Sequence, residues 1–179
     1  ASFALLTYVS CWLKWHESAC FLAAMLNSQP LGFYGPSQLV QDAQRHGVLV
    51  RAVDVTHSDW DCTLEKLGSE SNSLAAQAVT SDATGAEILP PDRPGPAVRL
   101  GLRLVAGLSE VAARRITQAR QQQALASVED LALRAQLDAG DLKALASADA
   151  LASLAGHRRQ QVWDASALNR APALLREAP

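Results

Sequence analysis

The chain has 179 residues, 49% of them hydrophobic and 5% aromatic, with a formal net charge of −2. That length accommodates one domain or two small ones around a real core, and the apolar fraction excludes a wholly disordered chain. Scarce aromatics and abundant alanine favour packed helices over a sheet sandwich, and the near-zero charge excludes strong non-specific attraction of the whole chain to a polyanion.

The first expected element is one helix over residues 2–26, with Phe3, Leu6, Val9, Leu13, Cys20 and Ala24 near helical spacing and no Gly or Pro. It is apolar nearly all round, which reads as a buried helix with Trp12 and Trp15 as packing residues. The apolar run from Phe3 to Leu13 is only about eleven residues. A membrane span needs roughly 20, and a secretory signal needs a positive start and a small-residue cleavage site, so no membrane is expected. The start at Ala1-Ser2-Phe3, already inside a helical pattern, reads as a piece of a longer protein. The three cysteines, Cys11, Cys20 and Cys62, are odd in number and form no CxxC. They read as buried structural thiols of a reduced, cytoplasmic protein rather than as metal ligands.

Residues 27–32 carry turn chemistry, and a second helix is expected over 36–46, with Pro36 suited to its first position and Gly47 as a left-handed cap. His46 reads as satisfied by the helix end rather than as a catalytic base. Residues 48–55 read as extended, and Asp59 and Asp61 around Trp60 as solvated turn acids. Residues 67–96, rich in Gly, Ser, Asn, Thr, Asp and Pro, read as a flexible loop or insertion. Alternation from Val98 to Leu104 predicts a short strand, residues 105–109 a turn, and helices are expected at 110–121, 128–135, 139–147 and 153–165. Ser127 with Asp130 three residues on is similar to a capping box.

Charge is spread unevenly along this order. Residues 59–96 sum to −5, whereas 97–120 carry Arg99, Arg103, Arg114, Arg115 and Arg120 against Glu110 alone, giving +4. If the chain touches a polyanion, this second stretch is the place.

The same stretch holds the most informative motif, Val105-Ala106-Gly107-Leu108-Ser109-Glu110-Val111-Ala112-Ala113-Arg114-Arg115-Ile116. It reads as the hairpin and second helix of a helix-hairpin-helix. Glycine permits a sharp turn that points successive N–H groups outward, and the next helix adds its positive N-terminus. Together they form a pocket for a DNA phosphate. Gly107, Leu108 and Ser109 are the hairpin candidates, with Ser109 capping the helix and Leu108 plugging the gap between helices. Arg103, Arg114 and Arg115 are the candidate cationic contacts. A Gly-apolar-Ser turn before any helix looks the same, so a purely structural hairpin stays open. Leu137 to Leu154 reads as a second unit with Asp149-Ala150-Leu151 as its hairpin. An acid where glycine belongs repels phosphate, so this hairpin reads as mainly structural. There is no paired or triple carboxylate in a metal-binding context, no GxxxxGK[ST] loop and no nucleophile elbow. No catalytic residue, metal site or cofactor is therefore assigned to this segment.

On these residues the sequence resembles a known family. Ser2-Phe3-Ala4-Leu5-Leu6-Thr7-Tyr8, Trp12-Leu13-Lys14 and Phe21-Leu22-Ala23-Ala24-Met25-Leu26-Asn27 are similar to the end of the fingers domain of bacterial C-family DNA polymerases, the alpha subunit of DNA polymerase III and its relatives. Gln29-Pro30-Leu31-Gly32-Phe33-Tyr34, Asp42-Ala43-Gln44-Arg45-His46-Gly47-Val48 and Ser58-Asp59-Trp60-Asp61-Cys62 resemble its error-prone branch. So do Ala148-Asp149-Ala150-Leu151, Gly156-His157-Arg158-Arg159-Gln160 and Trp163. The resemblance covers roughly 1–66 and 97–165. It implies a parent enzyme for translesion synthesis in damage repair, with catalytic aspartates, Mg²⁺, a phosphoesterase-like domain and an OB fold elsewhere. Two positions depart from the family pattern: Ala106 stands where a lysine is frequent, and Ser109 where replicative relatives have a second glycine.

The expected architecture is mainly α. A fingers-domain tail (1–66) and a loop or insertion (67–96) precede a tandem helix-hairpin-helix module (97–165) and a tail (166–179), with at most a small β-hairpin. The implied partners are duplex DNA through its backbone and the rest of the polymerase chain, with a sliding clamp and other mutagenesis proteins acting through the parent. The rival reading is a helical protein-interaction module with structural hairpins.

Overall fold

The computed structural model describes residues 2–32, 34–66 and 95–155. In chain order these form α1 (Ser2–His16), α2 (Ser18–Asn27), α3 (Pro36–Arg45), β1 (Val50–Arg51), β2 (Thr63–Glu65) and β3 (Ala97–Arg99). A 3-10 turn (Leu102–Leu104) follows, then α4 (Glu110–Gln122), α5 (Val128–Arg134), α6 (Ala139–Ser147) and α7 (Ala152–Ala155). The architecture is mainly helical, as expected. The loop expected over 67–96 lies almost wholly outside the described residues, as do the end of the helix expected to reach 165 and the 166–179 tail. No described helix is long and apolar enough to cross a membrane.

Two compact units emerge, one within Ala1–Arg51 and Cys62–Arg99, the other within Ala52–Asp61 and Leu100–Pro179. In the first, α2 buries Ala19, Leu22, Ala23 and Leu26. Asn27 at its end acts as a substitute strand: its side-chain amide donates to the Cys62 carbonyl at 3.0 Å and its Oδ1 accepts the Cys62 N–H at 2.7 Å. The strands form a three-stranded sheet in the order β1-β3-β2 rather than a lone hairpin, with β1 parallel and β2 antiparallel to β3. Glu65 ties the strands together, meeting Arg51 at 2.9 Å and Arg99 at 2.8 Å. Gly47 closes α3 in the left-handed region at φ +80°, with Val48 N–H returning to the Ala43 carbonyl. His46 Nδ1 lies 2.7 Å from the Asp42 carbonyl, in the helix-end role expected of it.

The expected single helix over 2–26 is broken at Glu17, at φ −131° and ψ 51°. No Gly or Pro causes this. The Ser18 hydroxyl bonds back to the Lys14 carbonyl across the break. The expectation that this helix is buried fails for α1. Phe3 is 86% exposed, and Trp12 and Trp15 are 46% and 41% exposed rather than packed. Cys11 is likewise exposed and Cys20 half-buried, so among the three cysteines only Cys62 is a buried thiol. Burial, then the Glu17 carboxylate beside it, pushes the Cys20 thiol above its ordinary pKa.

The second unit is a helical module around Leu102, Ile116, Leu131, Leu145, Leu151 and Val55, all fully buried. Each such side chain contributes about 1.5–3 kcal/mol relative to exposure. Its helices start where the sequence places caps. Ser127 Oγ accepts the Asp130 N–H at 3.1 Å, and Asp138 caps α6 by accepting the Asp141 N–H at 2.7 Å. The strand expected over 98–104 stops at Arg99. Beyond it, Leu102 and Arg103 give their N–H groups to the carbonyls of Asp59 and Trp60, which winds the chain into the 3-10 turn. Of the extended stretch expected over 48–55, only Val50–Arg51 is strand. Val53 and Val55 belong to the core of the helical module.

Candidate nucleic-acid interface

The turn from Val105 to Ser109 reverses the chain before α4. Gly107 takes φ +87°, a conformation that L side chains rarely adopt. A Cβ there would meet only Ala144 Cβ at 3.9 Å, so backbone conformation rather than space selects glycine. Leu108 N–H closes the turn on the Val105 carbonyl at 3.2 Å, and its side chain is buried in the core. Ser109 caps α4, its hydroxyl accepting the Ala112 N–H at 3.1 Å.

The cap leaves a set of donors facing outward. Ala106, Gly107, Ser109 and Glu110 are exposed. Among the described residues, the amides of Gly107, Ser109, Glu110 and Val111 have no protein acceptor. These unpaired N–H groups lie at the positive end of a 13-residue helix, an end whose dipole favours negative charge.

The arginines behave differently from their sequence appearance. Arg114 is the most open; its side chain is 76% exposed and pairs with Glu110 at 2.5 Å one turn away. Arg103 is paired with Asp61 at 2.8 Å. Arg115 turns inward, donating to the Gln136 carbonyl at 2.9 Å and lying 4.0 Å from Asp141, with its buried Nε unbonded. Arg99 meets Glu65, and Arg120 meets Asp59 at 2.6 Å. The local +4 is therefore matched in space by acids drawn mostly from outside the stretch. Asp59 and Asp61, read from sequence as solvated turn acids, are exposed, and each also pairs with an arginine.

The second hairpin follows α6. Asp149 adopts φ +57°, while its N–H bonds to the Ala146 carbonyl and Ala150 N–H to Leu145, both at the helix end. The glycine conformation is thus kept with an acid in place. Sequence reasoning also missed the role of residues 52–61. Val55 N–H donates to the Ala150 carbonyl at 2.9 Å, and Arg120 Nη1 donates to the carbonyls of Val55 and Ser58. Asp54 accepts bonds from Thr56 and Ser153. Burial alone would raise the Asp54 pKa, but the bonds from Ser153 and Thr56 outweigh it and hold the carboxyl below its ordinary value. The Asp-x-Thr spacing of a side-chain turn was the available signal.

The family described as "Helix-hairpin-helix motif" matches residues 47–161, taking in both hairpins and the 52–61 segment. The chain belongs to the helix-hairpin-helix family. Its curated relatives are larger. The error-prone DNA polymerase of Methylococcus capsulatus is 51% identical over 179 residues, 99% of this chain and 16% of that protein. That of Burkholderia pseudomallei is 54% identical over all of this chain and 15% of its own length, and that of Burkholderia mallei 56% identical over 93% of the chain and 14% of its own. The resemblance to error-prone C-family polymerases read from the sequence is borne out, and this helix-hairpin-helix chain spans about one sixth of the relatives it matches.

Proposed function

We propose that this chain is the non-catalytic, DNA-binding segment of an error-prone DNA polymerase that acts in damage-induced translesion synthesis. The observation that carries this reading is the Gly107-Leu108-Ser109 hairpin, whose outward amides meet the N-terminus of α4. A phosphate bound there is held through the backbone, so binding is independent of base sequence. Arg114 extends the contact, because an exposed ion pair contributes only about 0–1 kcal/mol and exchanges readily for a phosphate. Arg103 and Arg115 act from behind, holding the turn and α4 in place. Template-directed chemistry, with its aspartates and Mg²⁺, belongs in this reading to other parts of a cytoplasmic polymerase. Those parts also cover the apolar face of α1 and meet a sliding clamp and other mutagenesis proteins.

The test is a salt titration of duplex binding by the folded chain. One hairpin and one arginine neutralise roughly one to three phosphates, giving a slope of log K on log salt of about −1 to −3. Gly107→Val abolishes binding, Arg114→Ala flattens the slope by about one, and both hold for unrelated DNA sequences. Absence of duplex binding at 50 mM salt and tens of micromolar protein would sink the reading for this segment.

The second reading, a helical protein-interaction module, draws support from the acid partner of every arginine in 97–120. It expects no DNA affinity at low salt and no effect of Arg114→Ala.

A further inference from the structure

The two hairpins differ in what lies against them. At the first, the outward amides stand exposed. At the second, the chain has already laid a carboxylate. Val55 N–H donates to the Ala150 carbonyl at 2.9 Å, which brings the preceding Asp54 to the hairpin–helix junction. One Asp54 oxygen accepts the hydroxyl of Ser153, the second residue of α7. The other accepts the Thr56 N–H at 2.8 Å and the Thr56 hydroxyl at 2.5 Å. The amides of Asp149 and Ala150 are spent on the end of α6.

This arrangement is anchored. Val53 and Val55 sit in the module's core, and Arg120 holds the carbonyls of Val55 and Ser58. A phosphate approaching this hairpin would meet the negative charge of the Asp54 carboxylate, and Asp149 puts a second acid on the hairpin itself.

We propose that residues 52–61 seal the second hairpin, the Asp54 carboxylate standing where a DNA phosphate would lie, so that the module grips DNA through its first hairpin alone. The proposal rests on the DNA-binding reading above and adds to it an asymmetry between the hairpins.

Amide chemical shifts of the whole chain, titrated with a short duplex of arbitrary sequence, test it without substitution. Residues 106–112 are expected to shift and residues 149–155 to stay still. Shifts at both hairpins overturn the seal and leave DNA binding standing. Shifts at neither overturn the DNA reading and the seal with it. Asp54→Asn adds a second arm: with the negative charge gone, duplex affinity at low salt rises several-fold, whereas Asp54→Glu gives no gain. An Asp54→Asn chain that keeps its spectrum and its wild-type affinity overturns the proposal. Should that variant fail to fold, the shifts of the unsubstituted chain decide.

Discussion

Two left-handed residues carry a conformational cost that glycine would avoid. Gln136, at φ +49°, and Asp149, at φ +57°, each follow a helix and close it with N–H bonds back to the last turn. Gly47 performs the same task at φ +80° without a side chain. Gln136→Gly is therefore expected to stabilise the chain by about 0.5–1 kcal/mol net of the extra unfolded-state entropy, seen as a melting temperature higher by a few degrees. The Arg115 bond survives this change, because it goes to the Gln136 carbonyl. The reverse substitution, Gly107→Ala, is expected to cost about 1 kcal/mol through conformation alone, since nothing crowds the added methyl. An unchanged melting temperature for either variant would refute the account. Ser109 and Gly107 were legible in the sequence because a cap and a turn are local matters. Arg103 and Arg115 were read as free cations because their partners lie elsewhere in the chain: Asp61 is 42 residues from Arg103, and the Gln136 carbonyl 21 from Arg115.

At the scale of elements, helix starts were readable wherever a Ser or Asp side chain caps them, as at α4, α5 and α6. The break between α1 and α2 was not, since no Gly or Pro marks it in an otherwise continuous apolar pattern. The packing of the 52–61 segment was not readable for a related reason. Its valines alternate like a strand, but their burial depends on helices that follow some fifty residues later. This segment also carries a pH signature. The Asp54 pKa is held below its unfolded value, so its contribution is complete above the unfolded carboxyl range of about 3.9 and is lost as pH falls through the lower, folded value. The Asp130 carboxyl shifts the same way, first through the Ala126 N–H and then through Arg134. The urea midpoint is expected to fall as pH drops below about 4. Asp54→Asn should lower the midpoint at pH 7 and flatten part of the acid limb. An acid limb of the same steepness in Asp54→Asn would show that this carboxylate is not among the groups responsible.

For the whole molecule, hydrophobic content and charge pull the sequence reading in two directions, and structure resolves them differently. The +4 stretch is cancelled by acids folded against it, so long-range steering toward DNA is weak, and in the proposed DNA reading the hairpin's own donors supply the grip on phosphate. The apolar excess of α1 finds no such partner in the described residues: Phe3, Leu5, Leu6 and Tyr8 are all more than 60% exposed. Sequence periodicity announced a helix wanting burial, but could not say what surface covers it. A helix of 15 residues with so much apolar area uncovered by the described residues is expected to drive association. The isolated chain is expected to self-associate as its concentration rises, measured by sedimentation velocity from a few to some hundreds of micromolar. Leu6→Glu combined with Tyr8→Glu should leave it monomeric, each lost apolar contact removing about 1.5–3 kcal/mol of association free energy where it was fully buried. Because α1 and the hairpin belong to separate compact units, the double variant should bind duplex DNA with unchanged monomer affinity, while Gly107→Val should associate like the unsubstituted chain. A wild-type chain that stays monomeric across that range would mean that α1 finds its cover within the chain itself.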